Sequence, residues 1–91
     1  MIIWDFEKNK KLKIERGVSF EDVEKIILNK EYIDILENPT RETQDIFVIN
    51  FNDYIHIVPF VIDVEENIVL KTIFPSRNFN KIYRGKKWKL S

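Results

Sequence analysis

The sequence predicts an α+β domain in which a short strand and two helices precede antiparallel strands and a short closing helix. Three observations carry this. Phe20, Val23, Ile26 and Ile27 recur at helical spacing behind a capped start. From Tyr32 onward the apolar period changes to two. Two β-rich runs, 46–51 and Tyr54–Ile62, are separated only by Asn52-Asp53, a pair suited to a tight hairpin turn.

Taken in order, Met1 to Trp4 is a short apolar run of β-formers, and Asp5 is placed to cap a helix over residues 6–15. That helix has only Phe6, Leu12 and Ile14 as apolar groups, so most of its surface is exposed, and Gly17 supplies the left-handed residue that ends it. Ser19 then caps a second helix over 19–28. Asp22 completes a short-armed capping box, with Val18 and Val23 at the staple positions. Alternation of Ile33 and Ile35 with their neighbours predicts a strand that Asn38-Pro39 breaks, and residues 40–45 form a polar connection. Pro59 has no N–H to donate, so the strand that holds it is expected at an edge or bulged there. Glu65-Glu66-Asn67 turns the chain into a final strand over 68–74, and Ser76 caps a helix through Tyr83 that Gly85 closes. The sheet is expected to have three to four strands, all antiparallel, with the two first helices packed on it.

With 91 residues, one domain is the reading (1–91), and 44% hydrophobic with 13% aromatic content gives it enough apolar area for a core. The longest apolar run is broken by His56 and Pro59 and is far too short to span a bilayer. The start of the chain puts its apolar residues before its charges, the reverse of a signal peptide. No cysteine is present, which excludes thiolate chemistry and fits a cytoplasmic protein. With one histidine as well, a metal site would need carboxylates, and the acidic pairs are explained by solvation on a helix face and in a turn. No metal and no cofactor are therefore expected. No glycine-rich phosphate loop exists, and Ser19 and Ser76 read as caps rather than nucleophiles.

The charges are unevenly placed. From Asn67 to Ser91 there are seven cations and no carboxylate, so all 15 acids lie in the first 66 residues. A polyanion or an acidic partner at the basic end would explain the split, and so would a solubilising tail that folds back on the chain's own acids. Arg77 directly follows Pro75-Ser76 at the end of a strand, where a rigid turn can aim a guanidinium at a phosphate. A surface ion pair is the plainer alternative. Lys71 alternates with Val69 and Ile73, either on a solvated face or aimed into a site. His56 shares a strand face with Tyr54, Val58 and Phe60, as a packed histidine or as an acid–base group. Tyr83 and Trp88, interleaved with Lys81 and Arg84, offer the stacking surfaces of single-strand RNA binders, or simply dock the C-terminus.

Several of these residues, in order, resemble the pattern of BrnT-type toxins, the RelE-like ribonuclease toxins of bacterial type II toxin–antitoxin pairs. Trp4-Asp5, Lys8 and the run Gly17-Val18-Ser19-Phe20-Glu21-Asp22 are similar to the family's N-terminal pattern. Ile73-Phe74-Pro75-Ser76-Arg77 is similar to its closing strand and arginine, so the resemblance covers nearly the whole chain. It implies a RelE-like fold, metal-independent cleavage of RNA, and inhibition by a small cognate antitoxin whose DNA-binding part is often a ribbon-helix-helix, in a toxin–antitoxin hetero-oligomer. Lys8 and Arg77 match basic positions of the family, whereas Lys71 is our own inference from its strand. The chain departs from the pattern at Arg16, where a histidine is usual, and at Gln44-Asp45-Ile46-Phe47, which lacks the usual arginine; Arg41 is not its equivalent.

The expected catalytic groups are therefore Arg77, Lys71 and His56, and the expected RNA-binding groups Lys8, Lys81, Arg84, Tyr83 and Trp88. RNA would supply its own nucleophile, the 2′-OH, and the protein would stabilise the charged phosphorane. The competing reading is a catalytically weak module of the same fold that binds RNA or its antitoxin.

Overall fold

The computed structural model describes residues 1–85, and the side chains of residues 1–83. The elements run β1 (Ile2–Trp4), α1 (Phe6–Arg16), α2 (Phe20–Leu28), β2 (Asp34–Glu37), β3 (Asp45–Phe51), β4 (Tyr54–Ile62), β5 (Ile68–Leu70), β6 (Phe74–Pro75) and α3 (Arg77–Gly85). The helix–strand order is the expected one, and the fold is mixed α+β.

The caps do what the sequence requires of them. Asp5 accepts from the Lys8 amide at 2.8 Å and Ser19 from the Asp22 amide at 3.1 Å, which fixes where α1 and α2 start. Gly17 ends α1 at φ 65°, and a Cβ there would touch nothing, so the requirement is conformational rather than steric. A bond that local signals do not announce joins the two helices. The buried Asn9 accepts from the Phe20 amide at 2.7 Å and donates to Glu21 Oε1 at 2.9 Å. It acts as a second cap for α2, supplied from α1.

The sheet departs from expectation in several ways. Among the described residues it has six strands rather than three or four, in the order β1-β5-β4-β3-β2 with β6 also on β4, and β1 pairs with β5 in parallel. Both faces are covered. Phe47, Ile49, Val58 and Phe60 turn toward Leu12, Phe20, Val23 and Ile27 of α1 and α2. Ile46, Val48, Ile55 and Ile57 turn the other way, toward Phe74 and toward Phe79 and Tyr83 of α3. That double burial is why β4 reads as an almost unbroken apolar run instead of alternating. The hairpin between β3 and β4 is the expected one: Asn52 and Asp53 both have positive φ, 53° and 61°, the turn that matches strand twist.

The remaining two differences are linked. The expected strand 68–74 stops at Leu70 and resumes as β6 at Phe74. Pro59 is neither on an edge strand nor in a bulge of the β3–β4 ladder. It sits in central β4 opposite Ile46, where the neighbour on the other side changes from β5 to β6. Its carbonyl accepts from the Lys71 amide at 2.8 Å, so its side of the strand faces the break. A proline has no N–H to offer there, and the ladder lapses. Arg16 secures the bridging segment by donating from Nη1 to the Ile73 carbonyl at 2.7 Å, while Ile73 itself is buried in the α1–α2 core. Among the described residues no helix is long and apolar enough to cross a membrane.

Candidate functional site

The break between β5 and β6 opens a pocket of about 630 Å³. Its floor is apolar: Ile46 and Pro59 face each other across β3 and β4, and Ile57, Phe74 and Phe79 complete it. Three cations from three separate segments stand around it: Lys8 on α1, Arg41 in the β2–β3 loop and Lys71 on the bridging segment. Asn38, Thr40, Gln44 and Thr72 add polar groups, and among the described residues no carboxylate lines the pocket. None of the three cations makes an ion pair among the described residues, whereas Lys13 pairs with Glu21 at 3.4 Å.

The loop that carries Arg41 is internally tied. The Asn38 amide donates to the Gln44 carbonyl and the Gln44 amide to the Arg41 carbonyl, both at 3.1 Å. Asn38 Oδ1 accepts from the Thr40 amide and from Thr40 Oγ1, both at 3.0 Å. The same stretch of chain carries acids as well, but Glu37, Glu42 and Asp45 line a separate hollow of about 300 Å³. Asn38 lines both hollows, and Arg41 faces the one that no described carboxylate lines, while its acidic neighbours border the other.

Of the residues singled out from the sequence, Lys8 and Lys71 come together at this pocket. Arg77 is the first residue of α3; it is exposed and does not line the pocket, although Phe74 and Phe79 on either side of it do. Lys81 is exposed on α3. Tyr83 is half-buried against the second core face. Its hydroxyl donates to Asp34 Oδ2 at 3.3 Å, and burial together with that carboxylate raises its pKa. Tyr83 thereby fastens α3 to β2. The Arg84 side chain and Trp88 lie outside the described residues.

His56 is elsewhere. Along β4 it alternates with Ile57 and Pro59, which face the pocket, so it points to the α1–α2 side with Val58 and Phe60. It is 8% exposed, with its ring edge-on to Phe51 and Tyr54 and Nδ1 donating to the Tyr54 carbonyl at 2.9 Å. The packed-histidine alternative describes this position, and the sheet separates it from Lys71.

Thr40, Arg41 and Gln44 line the pocket although the sequence places them in a polar connection, where Arg41 is weighed only as a stand-in for an absent arginine. One signal was available: between Lys30 and Lys71 the chain has nine acids, and Arg41 is its sole cation. Compared with known proteins, the chain matches no family model, no curated protein and no solved structure.

Proposed function

We propose that this chain is a metal-independent endoribonuclease toxin of a type II toxin–antitoxin pair, and that the pocket at the β5–β6 break is where RNA is held and cut. The observation that carries the reading is the cation arrangement. A chain with as many acids as cations keeps Lys8, Arg41 and Lys71 without an ion pair among the described residues, around a space that no described carboxylate lines. Such a space concentrates positive potential where an anion enters.

The chemistry asks little of the protein beyond this. The 2′-OH attacks its own phosphate, the 5′-oxygen leaves, and a 2′,3′-cyclic phosphate remains. Lys71 lines the same pocket as the apolar floor, and beside such a floor its charge would stabilise the phosphorane better than it would in water. Lys8 and Arg41 hold the phosphates on either side, and Arg77, at the start of α3, extends the contact along the strand. A cognate antitoxin, a small protein with a ribbon-helix-helix part, would silence the toxin in the cytoplasm by occupying the same cationic surface.

One observation favours the second reading, a weakly catalytic module that binds RNA or its antitoxin. Among the described residues the pocket lining has neither an imidazole nor a carboxylate, so proton transfer falls to a lysine or to water. Purified protein incubated with RNA in EDTA separates the two. Cleavage products ending in 2′,3′-cyclic phosphate support the toxin, and tight binding to an intact RNA supports the module.

A further inference from the structure

The pocket has more in it than a phosphate needs. Three cations account for a phosphate, but not for a floor built from Ile46, Ile57, Pro59, Phe74 and Phe79. An aromatic or heterocyclic ring is what such a floor accepts. Phe79 is held for the purpose of packing by Tyr83, its ring centroid 6.0 Å away, and Tyr83 is itself tied to Asp34. The volume, about 630 Å³, lies in the range of small-molecule sites and has room for one nucleotide. A base paired in a duplex cannot reach such a floor, whereas an unstacked base of a single strand can.

The wall carries a group able to read that base. Gln44 is half-buried, and its Oε1 accepts from Asn38 Nδ2 at 3.4 Å, which orients the amide. Its two Nε2 hydrogens then have no acceptor among the described residues. The backbone bond from the Gln44 amide to the Arg41 carbonyl sets this amide and the Arg41 guanidinium on one short turn. The two residues that would contact phosphate and base are therefore anchored on one hydrogen-bonded turn.

We infer that the pocket seats a single unpaired nucleotide, its base on the Phe74–Phe79 floor and its phosphate among Lys8, Arg41 and Lys71, and that Gln44 selects the base by donating to its acceptor edge. The inference rests on reading this pocket as the RNA site, and it adds that RNA is engaged at a preferred base.

The test is calorimetric titration of the protein with the four nucleoside 3′-monophosphates, ribose 5-phosphate and inorganic phosphate. The best nucleotide is expected to bind about tenfold or more tighter than ribose 5-phosphate, the worth of one stacked base. The four nucleotides are expected to differ by about fivefold or more, the worth of one hydrogen bond. Gln44→Ala, and Gln44→Met as a variant of similar length, should bring the four within about twofold and leave inorganic phosphate unchanged. Arg41→Ala should weaken every ligand, phosphate included. Ribose 5-phosphate binding as tightly as the nucleotides, or a base preference that survives both Gln44 variants, would overturn the inference. The outcomes stay separable from the ribonuclease reading. Base-selective nucleotide binding without RNA cleavage contradicts only the latter, and cleavage with no base preference contradicts only the former.

Discussion

The Lys71 amide donates to the Pro59 carbonyl at 2.8 Å, and it is the last such bond before the sheet opens. Proline can accept here but cannot donate, so the strand pairing that begins at Phe60 and Leu70 goes no further. One residue type in β4 thereby ends β5, makes the notch, and leaves Lys71 exposed beside it. The notch is where Lys8 and Arg41 also arrive.

Affinity for single-stranded RNA should fall steeply with salt. Removing one phosphate-contacting cation should reduce the log–log slope by about 0.7. Lys8→Ala and Arg41→Ala are each expected to do so, read from binding isotherms at several salt concentrations. An unchanged slope in Arg41→Ala would place the phosphates elsewhere.

Asn9→Ala should destabilise the fold by about 1–3 kcal/mol, because the Phe20 amide at the start of α2 is left without its acceptor. For a domain of this size that amounts to a fall in Tm of roughly 4–8 °C per kcal/mol. Asn9→Asp keeps the acceptor but sets a second carboxylate against Glu21, so it should also be less stable than wild type near neutral pH. Thermal melts of the three proteins check this.

Stability should depend on pH through Glu21. The Asn9 side-chain bond, first among its causes, lowers its pKa below the ordinary 4.5, with Lys13 adding to the effect. A carboxylate whose folded pKa is depressed contributes stability above its unfolded pKa and loses it as pH falls through the folded value. Wild type should therefore lose stability on acidification below about the ordinary carboxylate range, and Glu21→Gln should lose less over the same interval. Denaturant midpoints measured through that window give the comparison. Parallel curves would mean that the Asn9–Glu21 contact does not distinguish the folded state.

Much of the architecture was legible because it is local. The caps at Asp5 and Ser19, the stop at Gly17 and the Asn52-Asp53 turn each follow from one or two side chains acting on their own backbone. The misread parts depend on partners far away in sequence. The parallel pairing of Ile2–Trp4 with Ile68–Leu70 leaves no mark in either segment. The coverage of both sheet faces was visible only as a failure of β4 to alternate. At the site, Lys8 and Lys71 were singled out individually, but nothing in the sequence brings them beside Arg41. His56 was read from its strand alone, where the choice between packing and chemistry turns on which face the helices cover.

His56→Gln is expected to cost about 1–3 kcal/mol of stability, since it disturbs a buried, hydrogen-bonded ring between Phe51 and Tyr54. The cleavage rate at saturating RNA should stay within about twofold of wild type, because the residue is on the far side of the sheet from the pocket. A rate that collapses while the fold survives would make His56 a proton-transfer group.

The most direct measurement is the single-turnover cleavage rate at saturating RNA, in EDTA, for Lys71→Ala beside Arg77→Ala. Lys71→Ala should lower that rate by about a hundredfold or more, the loss typical of one fixed charge donor, with Tm unchanged. Arg77→Ala, outside the pocket lining, should mainly raise the RNA concentration giving half the maximal rate. A Lys71→Ala protein that cleaves at the wild-type rate once saturated would contradict the assignment of this pocket as the cutting site.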